Sequence, residues 1–188
     1  MVDYSRIRRQ QLVREAEGYL ELANMFARRW PLPQPLREKL AQRALETLSR
    51  ATLTGSNRAH VLLLVGQANR ILERYTAAIE SLLRSADQDG DNVTVWLALA
   101  SCYKRIDRLD LAIEALEQAL QVDDESAIVH YNLACYWSLS GNPVIALYNL
   151  SVAFDLDPRY RDRVAKESDF DPIRGDLRFQ ALISRVGV

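Results

Sequence analysis

Only two of the 188 residues are cysteines, Cys102 and Cys135, and only two are histidines, His60 and His130. Two cysteines cannot build a disulfide framework, and the four residues show none of the close spacings of a zinc site. The seven glycines are scattered, which excludes a glycine-rich phosphate loop. Apolar runs such as "VLLLVG" from Val61 fall far short of the about 18 residues that read as a membrane span. The N-terminal "MVDYSRIRRQQL" lacks the apolar centre of a secretion signal. These absences lead to the expectation of a soluble, cytoplasmic protein without cofactor or metal.

Lysine is scarce as well: Lys39, Lys104 and Lys166 stand against 21 arginines, a bias that points to a GC-rich genome and an expected bacterial source. The net charge of −1 makes no case for nucleic acid or an anionic membrane as partner. Charge is uneven along the chain, +4 over residues 1–57 and −5 over the rest. Spread over amphipathic helices, that basic third reads first as a solvated face. Apolar residues make up 48% and charged residues 26%, enough apolar surface to exclude general disorder.

What the chain has in quantity is self-similarity. Three segments of equal length follow one another and align without a gap, starting at Ala59 ("AHVLLLVGQANRILERY…"), Val93 ("VTVWLALASCYKRIDRL…") and Ala127 ("AIVHYNLACYWSLSGNP…"). Gly66, Ala100 and Ala134 form a small column, as do Ala78, Ala112 and Ala146, and Ser85, Ala119 and Ala153. Leu82, Leu116 and Leu150 form a large one. Asn69, Tyr103 and Trp137 share a bulky slot with one polar exception. In the second unit Trp96, Leu99, Ala100 and Tyr103 recur at helical spacing. After the break "RIDR", Leu109, Ala112, Ile113, Leu116, Ala119 and Leu120 mark a second face. In the third unit the break is "SGNP", with Asn142 placed to cap the next helix and Pro143 at its first position. Small residues let two helices cross closely, and a single such hairpin cannot bury its own apolar face, so stacking must stabilise it.

The pattern Trp96-x2-Leu99-Ala100-x2-Tyr103, then Ala112-x3-Leu116-x2-Ala119, with Pro158 closing the last unit, resembles the tetratricopeptide repeat. The resemblance implies an all-α fold, a right-handed α-solenoid of antiparallel helix pairs, with three repeats at 59–92, 93–126 and 127–160. Residues 1–58 are expected to hold N-terminal helices. Their degenerate repeat has Ala44-x3-Leu48-x2-Ala51 as its second-helix signature and Leu22, Ala23 and Phe26 in its first helix. The insertion "WPLPQP" interrupts it, either as a rigid connector or as a loop presenting Trp30 and Leu32 to a partner. The N-terminal helix carries a stripe of Ile7, Val13, Ala16, Leu20, Ala23 and Ala27. It either covers the first repeat or serves as a dimer seam or as an arm that enters a neighbour's groove. Residues 161–188, with "DFDPIRGDLRFQALI", resemble the closing segment of many such arrays. They predict a cap made of a short helix, a turn at Asp169–Gly175 and a last helix from about Asp176. One structural domain is expected.

The cluster "HYNLACYWSLSGN" looks catalytic and is read as packing. His130 and Cys135 lie five residues apart, which turns their side chains about 140° from each other on one helix. A cysteine–histidine nucleophile needs direct contact. "DQDGDN" at Asp87–Asn92 alternates acids like a calcium loop. However, Gly90 stands fourth rather than sixth, and the twelfth residue is Ala98, so it is read as an inter-repeat turn. No enzyme activity is expected.

The resemblance implies a concave face lined by first helices that binds a peptide or helix. By register the candidate lining is His60, Leu63, Gln67 and Arg70, then Thr94, Leu97, Ser101, Lys104 and Arg105, then Ile128, Tyr131, Asn132 and Cys135. Its apolar centre and cationic edge (Arg70, Lys104, Arg105) suit a protein or peptide partner with apolar anchors and acidic residues. The lysine–asparagine clamp that grips chaperone tails in some arrays is missing at Leu63, Gln67, Ala98, Ile128 and Asn132. The expected function is a protein-binding adaptor or assembly scaffold, with two alternatives: an export or assembly chaperone for one client, or a self-assembling homo-oligomer.

Overall fold

The structure is a computed structural model that describes residues 4–25, 32–51 and 58–184, with no account of the side chains of Tyr4 and Met25. Every regular element among the described residues is helical. Eight longer helices run in order: α1 (Tyr4–Met25), α2 (Gln34–Ser49), α3 (Arg58–Ile71), α4 (Tyr75–Ala86), α5 (Val93–Arg105), α6 (Leu109–Val122), α7 (Ala127–Leu139) and α8 (Pro143–Leu156). A 3-10 turn at Pro158–Tyr160, the single-turn α9 (Arg161–Val164), a 3-10 helix at Ser168–Ile173 and α10 (Leu177–Ser184) complete the chain. No helix of the described residues is long and apolar enough to cross a membrane. The chain forms two compact units, Met1–Cys102 and Tyr103–Val188, with the division inside α5.

In the first unit α1 packs along α2, and both meet α3, which forms a hairpin with α4. The core draws Val13, Ala16, Leu20 and Ala23 from one face of α1 and Ala41, Ala44 and Leu48 from α2. Val61, Leu64, Ala68 and Ile71 of α3 complete it. Of the N-terminal stripe, Ile7 is exposed and Ala27 lies outside the described residues, as do Phe26 of the degenerate repeat and Trp30 of the insertion. Leu22 is also exposed, leaving Ala23 as the inward residue of its pair. Pro33 precedes α2 and Pro35 sits in its first turn, where a missing N–H costs nothing.

The small columns have a direct physical cause. A Cβ built on Gly66 would stand 2.5 Å from Cγ of Leu82, a side chain with no exposed surface, so the α3–α4 crossing leaves no room for a methyl group. Ser85, the polar member of its column, is tolerated because its hydroxyl donates to the Ala59 carbonyl at 2.8 Å and ties the end of α4 to the start of α3.

The turns ending α3, α5 and α7 share one geometry. Glu73, Asp107 and Gly141, which hold the same place in successive repeats, have φ of 57°, 58° and 79°. In each case the following N–H bonds back five residues: Arg74 to Asn69 O at 2.9 Å, Arg108 to Tyr103 O at 3.0 Å, and Asn142 to Trp137 O at 2.9 Å. The residue in the left-handed conformation bonds back three, which completes a Schellman cap and satisfies the last carbonyls of each helix. Only the third turn uses the residue best suited to that conformation. At the start of α8, Asn142 accepts from the Ile145 N–H at 3.2 Å and Pro143 is the first helical residue.

In the second unit α6 packs on α7, and α7 forms a hairpin with α8. The stretch Ser168–Ile173 is a 3-10 helix rather than the open turn expected from its proline and acids. The reason is spacing: Phe170 and Ile173, three apart, fall on one side of a three-residue turn and are both buried.

Candidate functional site

His130 is the best-tied residue of the apparent catalytic cluster. Its Nδ1 lies 2.9 Å from Asn149 Oδ1 on α8 and its Nε2 lies 3.1 Å from the Asp124 carbonyl before α7. Asn149 is oriented in turn by donating from Nδ2 to Ile145 O at 3.0 Å. Both ring nitrogens therefore face oxygen atoms in a buried setting, and the ring sits between α7, α8 and the turn before α7. Cys135, with 2% of its surface exposed, lies apart from this network, and burial drives its thiol far above the usual range. Burial likewise pushes Cys102 up to about 11, opposed by the nearby Arg70 cation. Neither sulfur is poised as a nucleophile. Asp87–Asn92 forms the turn between α4 and α5, where the Gln88 and Asp89 N–H groups close on Ser85 O.

The candidate lining residues divide between the two units. In the first, His60 contacts Glu17 of α1 at 2.5 Å, so its ring is held toward the N-terminal helix. Leu63 is buried. Gln67, Arg70, Leu97 and Ser101 are half-buried and Thr94 is exposed. Thr94 donates its N–H to Asn92 Oδ1 at 3.0 Å, which opens α5. The Arg70 Nε is buried and has no hydrogen-bond partner.

In the second unit the arrangement is different. Lys104 is paired with Asp169 and stands 5.5 Å from the centre of the Tyr136 ring. Phe170, fully buried, meets Tyr131 edge-on with ring centres 5.7 Å apart at 79°. Tyr131 also stacks at 4.7 Å on Tyr160, and Phe170 continues to Phe179 at 5.7 Å. Tyr131 and Cys135 are thus brought together with Lys104, but beneath the chain's own 168–173 segment rather than facing an open groove. Arg105 and Ile128 remain exposed and Asn132 is half-buried. Sequence register alone did not single out Asp169 and Phe170 as occupants of this face. Their only signal was an acid–aromatic pair inside a segment read as a cap.

That segment is pinned locally. Arg174 donates from Nη2 to Glu167 O at 2.7 Å and from Nε to Asp171 at 2.6 Å. Arg161 stacks over Phe154 at 4.4 Å and donates to Leu182 O at 3.2 Å, holding α10 beside α8. Asp176 is held down to about 2, first by its hydrogen bonds from Arg178.

Helix hairpins with small residues at their crossings, closed by identical left-handed turns at a fixed interval, define an all-α helix-pair repeat protein. Residues 71–134 match the family model described as Tetratricopeptide repeat. A crystal structure of MamA protein aligns with a TM-score of 0.65 and 18% identity, covering 85% of this chain and 76% of that one. A second MamA crystal structure gives 0.60 and 16%, covering 86% and 99%. YrrB, described as a TPR protein with an unusual peptide-binding site, gives 0.53 and 19%, covering 76% and 69%. No curated protein matches the chain in sequence. The fold is that of the tetratricopeptide-repeat proteins, with the family's own sequence pattern matched over residues 71–134, and it is a fold that supports protein–protein interaction.

Proposed function

We propose that the protein is a non-enzymatic adaptor or assembly scaffold that holds a peptide or helix of another protein on the inner faces of its repeat first helices. The observation that carries this reading is the α7 face. It already holds the short 3-10 segment through one fully buried aromatic, Phe170 against Tyr131, while Lys104 at the end of α5 supplies a cation–carboxylate pair with Asp169. Those are the contacts by which grooves of this kind grip extended ligands: a charged group for orientation and an apolar anchor for affinity. In the first unit, α3 offers Gln67 and Arg70 in the equivalent setting. A pull-down from the host's lysate with wild type and an Arg70→Glu/Lys104→Glu/Arg105→Glu variant tests it, once both are shown to fold. A partner kept by wild type and lost by the variant supports the inner faces. A partner kept by both places recognition elsewhere.

A second reading, self-assembly, rests on α8. Its outer side exposes Val144 (62%) and Tyr148 (66%). Val144, Leu147, Tyr148, Ala181 and Leu182 line an open groove of about 570 Å³. A helix apolar on all sides is ordinarily covered on all sides. Sedimentation across a hundredfold concentration range, with and without Tyr148→Asp, separates the readings. A mass that rises with concentration in wild type only supports self-assembly.

A further inference from the structure

We infer that the inner face of α7 is a peptide site held shut by the chain's own Ser168–Ile173 segment. Its partner is then a peptide in which a carboxylate residue directly precedes a large aromatic one, binding by displacing Asp169 and Phe170. This deepens the adaptor reading and rests on it for the existence of an external partner.

Three observations point the same way. The first is complementarity: the only described contact of Asp169 with a cation is Lys104, 65 positions away, and Phe170 next to it is fully buried with its ring edge-on to Tyr131. One charged and one aromatic anchor on adjacent residues form a compact recognition unit.

The second is detachability. Each described backbone N–H bond in the segment stays local: Phe170 to Glu167 O, Arg174 to Asp171 O, Asp176 to Ile173 O, and Asp169 to the Glu167 side chain. Among the described residues the Arg174 guanidinium likewise donates only to Asp171, Glu167 and Val164, and the Arg174 carbonyl accepts from Gln180 of α10. The segment therefore keeps its internal hydrogen bonds when it lifts from α7, and gives up side-chain contacts alone.

The third is imperfect fit. Tyr131 and Ser138, seven residues apart on the same side of α7 with Cys135 between them, both carry buried hydroxyls without a hydrogen-bond partner. A buried hydroxyl left unpaired weakens the closed state, and a peptide that offers it an acceptor regains that loss. An occupant built only to stabilise a helix end would have no reason to leave two donors unmet; one built to be exchanged does.

The test uses the full chain with Cys102→Ser, so that Cys135, 2% exposed and beneath the segment, is the single reporter thiol. The probe is a fluorescent synthetic peptide of residues Lys166–Arg174. In the parent chain the tethered segment competes at millimolar effective concentration, so the probe binds weakly. Phe170→Ala is expected to tighten probe binding about tenfold or more and to speed alkylation of Cys135 by a similar factor. Saturating probe should slow the alkylation again, and adding Lys104→Glu should abolish probe binding. A Phe170→Ala chain that keeps its helical signal yet neither binds the probe nor exposes Cys135 overturns the inference. If that variant does not fold, Asp169→Asn removes only the ion pair. Several-fold faster Cys135 alkylation in a folded Asp169→Asn chain supports the inference, and an unchanged rate overturns it. The two readings also fail separately. Probe binding without any partner lost in the triple variant leaves the closed site and places partner recognition elsewhere. A partner lost there, with no probe binding, does the reverse.

Discussion

The α3–α4 and α7–α8 hairpins occupy the same places in the repeat, two periods apart along the chain, and use them differently. At their crossings α3 carries Gly66 against Leu82, where α7 carries Ala134 in a column whose large partner is Leu150. At their turns Glu73 is forced to the left-handed conformation that Gly141 takes readily. Along their inner faces α3 presents half-buried Gln67 and Arg70, while α7 buries Tyr131 and Cys135 under residues 168–173. The repeat thus constrains the frame, which helix face turns inward and which columns stay small. It leaves free what lies on that face, so one hairpin can be polar and open while its counterpart is sealed.

The comparison can be broken most forcefully at the large column. Leu82→Ala and Leu150→Ala each remove a side chain with no exposed surface and should cost about 2–5 kcal/mol. Hydrogen exchange on either side of the Cys102–Tyr103 division is expected to rise first in the unit that carries the substitution. Equal loosening of both units would mean that they do not open separately.

Next comes the small column. Gly66→Ala gains up to about 1 kcal/mol of helix propensity but drives a methyl into Leu82, and overpacking of that kind costs about 1–3 kcal/mol. Net destabilisation in urea unfolding is the expected result, and Gly66→Ala combined with Leu82→Ala should cost less than the sum of the two.

The turns give an effect of the opposite sign. Glu73→Gly should stabilise by about 1 kcal/mol and Gly141→Ala destabilise by about as much, because the left-handed conformation penalises a Cβ by about that amount. Asp107→Gly should gain less, since the short aspartate side chain tolerates this region better. Thermal melts of the three variants put them in order.

A last effect is alkaline. Burial raises both thiols in the folded chain, Cys102 to about 11, whereas unfolded cysteine titrates at about 8.5. The unfolded state therefore loses these protons first. Their contribution to stability is complete below about 8.5 and fades as pH rises toward the folded values. Cys102→Ser should flatten the decline in unfolding free energy between pH 8 and 10.

Much of the frame was legible because it is written locally. The evenly spaced helix starts at Tyr75, Leu109 and Pro143 follow from apolar periodicity interrupted by short breaks. Asn142 and Pro143 announced a capped helix, and the cap is there. The structural reading of His130 also came from register, although its partners, Asn149 and the Asp124 carbonyl, did not. The left-handed column at 73, 107 and 141 was present in the sequence as a single glycine. It was masked because Glu and Asp fill the other two positions. The candidate lining was the least legible part. Register names the face a residue lies on but not what covers that face, and in the second unit the cover comes from the far end of the chain.

By itself the sequence determined the helices, their pairing into hairpins and the small and large columns, since these depend on helical periodicity and on contacts between neighbours in the chain. Only the tertiary structure decided that Asp169 reaches Lys104 across 65 residues and that Phe170 closes over Tyr131. A salt bridge and a ring contact at such separation depend on where folding brings distant segments of the chain together, and that carries no local signature.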